Sequence, residues 1–280
     1  MRECAFRFLR VKTLNGARMA ETQIRYDDGA AYERAIGNWS RRLGSIFLDW
    51  LAAPSGLKWI DVGCGNGAFT ELLVETCAPA LVNGIDPSEA QIDFARKRPT
   101  ARLAKFDLGD AMALPFPVDA FDAATMALVI YFVPDPAKGV AEMARVVRPG
   151  GIVAAYAWDM LGGGFSLEPI RIEMRAMGLT VVNPPTSEAS RMEVLRELWT
   201  RAGLDEVETR EITVQRTFPD FEDFWTTSLS SPNMRSVIPM IAPNDIELLK
   251  ARVRARLPAD ATGRITYSAR ANAVKGRVTK

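Results

Sequence analysis

Residues 59–69 read WIDVGCGNGAF, an apolar run that carries one acid, Asp61, into three alternating glycines, Gly63, Gly65 and Gly67. Glycine lets the backbone come close to a ligand and take up dihedrals that a Cβ forbids. A helix opening after such a turn presents free N–H groups and a partial positive charge. The turn therefore suits a nucleotide-like ligand, and two kinds compete for it. Gly63, Gly65 and Ala68 satisfy the G-x-G-x-x-G/A spacing of a dinucleotide site. Either kind also wants an acid at the end of the second strand, and Asp86 of GIDPS supplies it. Asp61, two residues ahead of the glycines, suits a cationic ligand and would repel a pyrophosphate.

The rest of the titratable inventory narrows the chemistry. The 280-residue chain has no histidine, which removes the commonest general base, the commonest metal ligand and any Ser-His or Cys-His dyad. Cys4, Cys64 and Cys77 form no CxxC pair and no metal-ligand spacing. No metal is expected, and a reducing, cytoplasmic location fits. Chemistry is left to carboxylates, Tyr, Lys and Cys, or to positioning alone. A net charge of +1 dictates no partner, and no apolar run is long enough to span a bilayer.

Hydrophobic spacing then sets the elements that must hold these residues. Residues 31–52 read as an amphipathic helix stopped by Pro54 and Gly56. Short apolar strands follow at 57–62, 80–86, 102–107, 121–130 and 151–158. Helices are expected between them at 68–77, with Phe69, Leu72, Leu73 and Thr76 on one side, at 89–97 with Ser88 as cap, and at 135–151, closed by Pro149-Gly150-Gly151. This alternation implies a parallel sheet covered on both faces. Beyond 158 the pattern changes. Helical patches at 168–177, 187–203 and 219–258 sit among alternating stretches at 204–218 and 264–276, which read as a hairpin added to the sheet. The fold class is thus α/β, a doubly wound, Rossmann-like, mostly parallel seven-stranded sheet with an antiparallel C-terminal strand and a helical lid. One domain of residues 1–280 is expected. Residues 1–30 form a partly disordered N-terminal extension, with Met19 opening a more regular stretch. Residues 31–158 form the cofactor-binding core and 159–280 the acceptor lid.

Jointly, DVGCGNG, GIDPS, DAMALPFP, FDAATMALVIYFVPDP and RPGG resemble the class I S-adenosylmethionine-dependent methyltransferases, in the small-molecule group that includes the ubiquinone/menaquinone C-methyltransferase type. The resemblance covers about residues 57–158, little more than a third of the chain. It implies S-adenosyl-L-methionine as cofactor. Gly63, Gly65 and Gly67 would shape the loop under the methionine moiety, and Asp61 would hold its ammonium. Asp86, next to Pro87, would take both ribose hydroxyls. Asp110 would accept from the adenine amine with the Ala111 N–H near the ring, and Leu128 would border the cofactor. Arg41 or Tyr32 of the first helix would cover the carboxylate. Plainer roles stand beside these: a turn for Asp86, a cap for Asp110 and a solvated helix face for Arg41.

The activity implied is in-line methyl transfer to a small, apolar or aromatic acceptor. The donor is already activated, so alignment is the main task and a base is optional. Tyr131 is the nearest titratable residue to the end of the fourth strand, and no catalytic residue is assigned. NPPT at 183–186 resembles the box of amino-methylating nucleic-acid enzymes, but it follows the fifth strand rather than the fourth and reads as a loop. Trp39, Trp158, Phe165, Met174, Met177, Phe221, Phe224, Trp225, Met234 and Met240 are candidates for acceptor pocket or for core, and Gly162-Gly163-Gly164 for a lid hinge. Nine Lys or Arg stand against one acid in 250–280, a pattern read as a wet helix face rather than a nucleic-acid site. Two rival functions remain, an NAD(P)-binding oxidoreductase and a catalytically silent S-adenosylmethionine-binding module.

Overall fold

The computed structural model describes residues 37–279. The N-terminal extension, Met19, Cys4, Tyr32 and the first residues of the helix expected over 31–52 lie outside the described residues. Strands β1 (Lys58–Val62), β2 (Leu81–Asp86), β3 (Ala104–Leu108), β4 (Phe121–Ala127) and β5 (Val147–Trp158) run parallel. Strands β6 (Leu204–Phe218) and β7 (Ile265–Val278) complete a seven-stranded sheet of order β3-β2-β1-β4-β5-β7-β6, in which β7 is antiparallel to both neighbours. Strand order reverses between β1 and β4. The crevice at their carboxyl ends is the switch point where open α/β sheets take their ligands.

The middle strands are apolar because helices cover both faces. Trp59, Ile60, Asp61 and Val62 of β1 are all buried. Helix α1 (Asn38–Leu51) buries Trp39, Leu43, Phe47 and Leu51, one residue per turn. The Phe47 ring lies 4.6 Å from Tyr156 of β5 and 6.2 Å from Phe69 of α2 (Ala68–Cys77), so α1 bridges the sheet and the helix after the glycine turn. Chain direction then reverses through Ala52, whose left-handed backbone lets its N–H reach Leu48 O at 3.2 Å. Ser88 caps α3 (Glu89–Ala95) as its position suggests. Helix α6 (Met192–Arg201) buries Trp199, whose indole N–H donates to Val153 O at 2.8 Å.

Three expectations change. The fourth helix, α4 (Pro136–Val146), ends without a glycine cap, and RPGG lies inside β5. Gly150 has φ +77°, and a Cβ at Gly151 would fall 2.4 Å from Val147 Cγ1 and 2.6 Å from Asp122 O. These glycines therefore shape the irregular start of β4–β5 pairing. Strand β4 stops at Ala127 rather than at 130, because Leu128 turns left-handed and 130–132 form one tight helical turn. On α2 the inward polar residue is Thr70, while Thr76 is exposed.

The C-terminal helices are α5 (Glu168–Ala176), α7 (Phe221–Leu229), α8 (Pro232–Val237) and α9 (Pro243–Arg256), and the first three carry Met174, Phe221, Phe224, Trp225 and Met234 of the residues proposed for pocket or core. Prolines 232 and 243 open α8 and α9, where a missing N–H costs nothing. Phe221 stacks on Trp225, and Phe224 packs edge-on against Phe218. Met240 is exposed, Met177 is partly covered and the other eight candidates are buried, so most of this set is core. Gly162-Gly163-Gly164 is tied down. Arg270 holds Asp159, whose Oδ1 accepts the Gly162 N–H at 2.8 Å, and Arg270 N donates to Gly164 O at 2.8 Å. Of the eight described basic residues in 250–279, seven pair with acids, for example Arg252 and Arg256 with Glu173 of α5.

Candidate active site

The turn after β1 is held from below. Gly63 N–H and Cys64 N–H both donate to Ile85 O of β2, at 2.7 and 3.0 Å. All three glycines have positive φ, +76°, +52° and +79°. Gly63 is also walled by Val129, which a Cβ would meet at 2.5 Å, whereas a Cβ on Gly65 would meet nothing within 4 Å. The turn thus packs tightly on the segment after β4 and opens at Gly65. Arg98 braces it through Nε to Asn66 O at 2.6 Å and Nη1 to Glu71 at 2.7 Å.

Asp61 is fully buried at the top of β1. Its Oδ2 accepts the Thr70 hydroxyl at 2.6 Å, and its Oδ1 has no partner. Burial pushes the carboxyl up to about 7, Asp86 adds to the rise, and the Thr70 bond opposes it. An acid with one orphaned oxygen in such a place is a strong attractor for a cation. Asp86 ends β2 and ties the two loops together: Oδ2 accepts Gly65 N–H at 3.0 Å, and Oδ1 accepts Ser88 N–H at 2.9 Å. Burial raises its pKa, and those two N–H groups pull it back. Each oxygen keeps a lone pair for a further donor. Pro87 follows, fixing the chain before the α3 cap.

Asp110 is exposed after β3, and its Oδ1 accepts Met112 N–H at 2.8 Å, so it makes the turn that carries Ala111. Residues that the sequence did not single out hold that loop. Glu142 of α4 accepts Leu114 N–H at 2.8 Å, and Arg145 donates to Leu114 O and Phe116 O at 3.0 and 2.8 Å. Leu128 is buried, with φ +61°, and its N–H donates to Tyr156 O at 2.8 Å. Such backbone strain in a bulky residue marks a position that its surroundings fix. Tyr131 is buried beside Phe132, and Thr186 of NPPT donates its N–H to Tyr131 O at 3.1 Å. NPPT therefore braces the turn after β4, and Asn183 accepts from Arg171.

Asp61, the glycines, Asp86 and Leu128 converge on the β1/β4 crevice, and the Asp110 loop joins them through Gly109 N–H to Asp86 O at 3.2 Å. Arg41 does not. It pairs with Glu75 at 2.6 Å on an exposed face, two turns along α2 from the glycines. Thr70, Glu142 and Arg145 were legible only as polar residues on helices, and Arg98 only as a charge in the turn after α3. Among the described residues no group of His, Cys, Asp and Glu could hold a metal ion, and no helix is long and apolar enough to cross a membrane.

Residues 60–155 match the methyltransferase domain family. This segment is a class I, S-adenosylmethionine-dependent methyltransferase domain. The matched residues run from β1 into β5 and include every residue of the crevice. The chain is similar to 27-O-demethylrifamycin SV methyltransferase of Amycolatopsis mediterranei, with 31% identity over 56% of this chain and 57% of that one. It is also similar to demethylmenaquinone methyltransferase of Desulfitobacterium hafniense, with 35% identity over 37% of this chain and 43% of that one. The chain spans about half the length of these curated relatives. The fold matches that of phosphoethanolamine N-methyltransferase 2 of Haemonchus contortus, solved with S-adenosyl-L-methionine, at a TM-score of 0.55 and 18% identity, covering 89% of this chain and 56% of that one.

Proposed function

We propose that this protein transfers a methyl group from S-adenosyl-L-methionine to a small, apolar or aromatic acceptor, with residues 31–158 holding the cofactor and 159–280 covering the acceptor. The observation that carries the reading is Asp61 Oδ1, a buried carboxylate oxygen left without a partner near the end of β1, just before the glycine turn. The cofactor's ammonium is the group that such an oxygen fits. Gly65, with open space where a Cβ would be, lets the backbone lie against the ligand. Asp86 would take the ribose hydroxyls, Asp110 and Ala111 the adenine edge, and Leu128 the side of the cofactor facing β4. Arg41 is engaged by Glu75 and is not free to cover the cofactor's carboxylate.

The bound cofactor supplies an electrophilic methyl group. What this chain's residues add is placement. A wall fixed by the Val129–Gly63 contact and the strained Leu128 sets one side of the reacting centre, and the helices after β5 exclude water from the other. Proximity and orientation of this kind can supply roughly 7–11 kcal/mol of the barrier. No histidine is available, so the acceptor loses its proton to a carboxylate, to Tyr131 or to water. Calorimetry with S-adenosylmethionine, S-adenosylhomocysteine and NAD tests the reading: the first two should bind and NAD should not. Sustained release of S-adenosylhomocysteine with an acceptor library then separates an enzyme from a binding module, and binding without turnover would count against it.

A further inference from the structure

Buried side-chain polar atoms that lack a hydrogen-bond partner are rare in folded proteins, and each one calls for a reason. Among the described residues there are eight. One is Asp61 Oδ1, at the cofactor turn. Four more belong to one stretch at the start of α5: Ser166 Oγ, Glu168 Oε2, and Arg171 Nε and Nη1. All three side chains are more than nine-tenths buried, with Arg171 at 2% exposure.

Arg171 is not explained by its local partners. Its Nη2 donates to Asn183 Oδ1, and its guanidinium lies 5.4 Å above the Phe165 ring. Its Nε stands 3.5 Å from Glu168 Oε2, near enough for charge attraction but without hydrogen-bond geometry. The other Glu168 oxygen is taken by Arg175. A structural ion pair would close the Nε–Oε2 gap and leave no donor over. Here Nη1 and the Ser166 hydroxyl remain unused. Arginine keeps its charge when buried, so an anionic partner fits what the helix leaves open.

The position is consistent with a ligand. Ala271 of β7 lies opposite Trp158, the carboxyl end of β5. Tyr267, four residues earlier in β7, therefore stands beyond that end, at the same end of the sheet as the glycine turn. Arg270 of β7 donates its N–H to Gly164 O at 2.8 Å, which ties the segment leading into α5 to this strand, and Arg171 reaches Asn183 of the segment that braces the turn after β4. Trp39 packs edge-on against Tyr267 with ring centroids 6.2 Å apart. An aromatic pair and a polar cluster thus lie toward the β5–β7 end of the row of strand ends that holds the crevice.

We propose that Ser166, Glu168 and Arg171 form the polar end of the methyl-acceptor site and bind an anionic oxygen of the acceptor, a carboxylate or an ionised ring hydroxyl. This rests on the methyltransferase reading above. Arg171 supplies the charge and N–H donors, Ser166 supplies an O–H donor, and Glu168 accepts from a neighbouring neutral hydroxyl while limiting the site to one negative charge.

The test uses salicylate and its uncharged counterpart salicylamide, titrated by calorimetry into the full chain saturated with S-adenosylhomocysteine. Salicylate should bind at least tenfold more tightly than salicylamide. Arg171→Gln should abolish that preference, Ser166→Ala should weaken salicylate a few-fold, and Glu168→Gln should tighten it by removing a like charge. S-adenosylhomocysteine affinity should stay unchanged throughout. If Arg171→Gln does not fold, the opposite signs expected for Ser166→Ala and Glu168→Gln decide the matter. Equal binding of the two probes, no binding of either while S-adenosylhomocysteine binds, or a preference that survives Arg171→Gln overturns the proposal. A wild-type chain that takes no S-adenosylhomocysteine counts instead against the cofactor reading.

Discussion

Cofactor affinity should fall steeply as the solution is acidified below about pH 7, and a single buried carboxyl should account for it. Asp61 is pushed up to about 7 because burial removes its hydration and Asp86 lies close. Only the ionised form can hold an ammonium. If Asp61 is the anchor, the dissociation constant should rise about tenfold per pH unit on the acid side, or about 1.4 kcal/mol. At about pH 6 roughly one proton should leave per cofactor bound. Above about pH 8 the ligand's own amine begins to lose its proton, so the profile should be bell-shaped. Calorimetry with S-adenosylhomocysteine in two buffers of different ionisation enthalpy measures both affinity and proton release. Asp61→Asn should lower the affinity and flatten the acid limb. Thr70→Val should shift that limb upward in pH, because its hydroxyl donates to the ionised carboxylate at 2.6 Å. A dissociation constant that stays flat from about pH 5.5 to 7.5, or an acid limb that persists in Asp61→Asn, would refute the assignment.

The unliganded protein should show the converse linkage. Asp61's folded pKa lies above its unfolded value of 3.8, so its contribution to stability is complete below that value and is lost as pH rises to about 7. The difference is on the order of 4 kcal/mol. Urea titrations of wild type and Asp61→Asn should therefore diverge across that window, and parallel curves would argue against it. Asp86→Ala should weaken cofactor binding by at least 1–3 kcal/mol, since ribose hydroxyls and Gly65 N–H both lose an acceptor; an unchanged dissociation constant contradicts the ribose role. Gly63→Ala adds left-handed strain to a collision with Val129 and should cost about 3 kcal/mol in denaturant titration. Gly65→Ala should cost only about 1–2 kcal/mol, yet its Cβ should still impair cofactor binding. Unimpaired cofactor binding in Gly65→Ala would place the ligand elsewhere.

The alternation of short apolar strands with amphipathic helices was legible because both periods are local: two residues for a strand, 3.6 for a helix. Five parallel strands, the added C-terminal pair and the Ser88 cap follow from that code. The three glycines were legible for a similar reason, since positive φ is a property of single residues, and Asp61 and Asp86 sit at fixed offsets from strand ends. The failures were all questions of partner. Helical spacing put Arg41 on a polar face, but only the packing of α1 against α2 gave it to Glu75. RPGG looked like a helix stop, and pairing with β4 made it the irregular start of a strand. Aromatic residues at helical spacing could line a pocket or fill a core, and the contacts of α7 with β6 made them mostly core. Arg171 appeared as one more charged residue on a helix. Its burial beside Glu168, with donors left over, arises from chain segments distant in sequence: α9 pairs with Glu173 of α5, and Asn183 takes one Arg171 nitrogen. By itself the sequence determined the fold, the glycine turn and the acids around it. The tertiary structure decided which charges are spent on one another and which are left for a ligand, because desolvation and pairing depend on neighbours that no local period encodes.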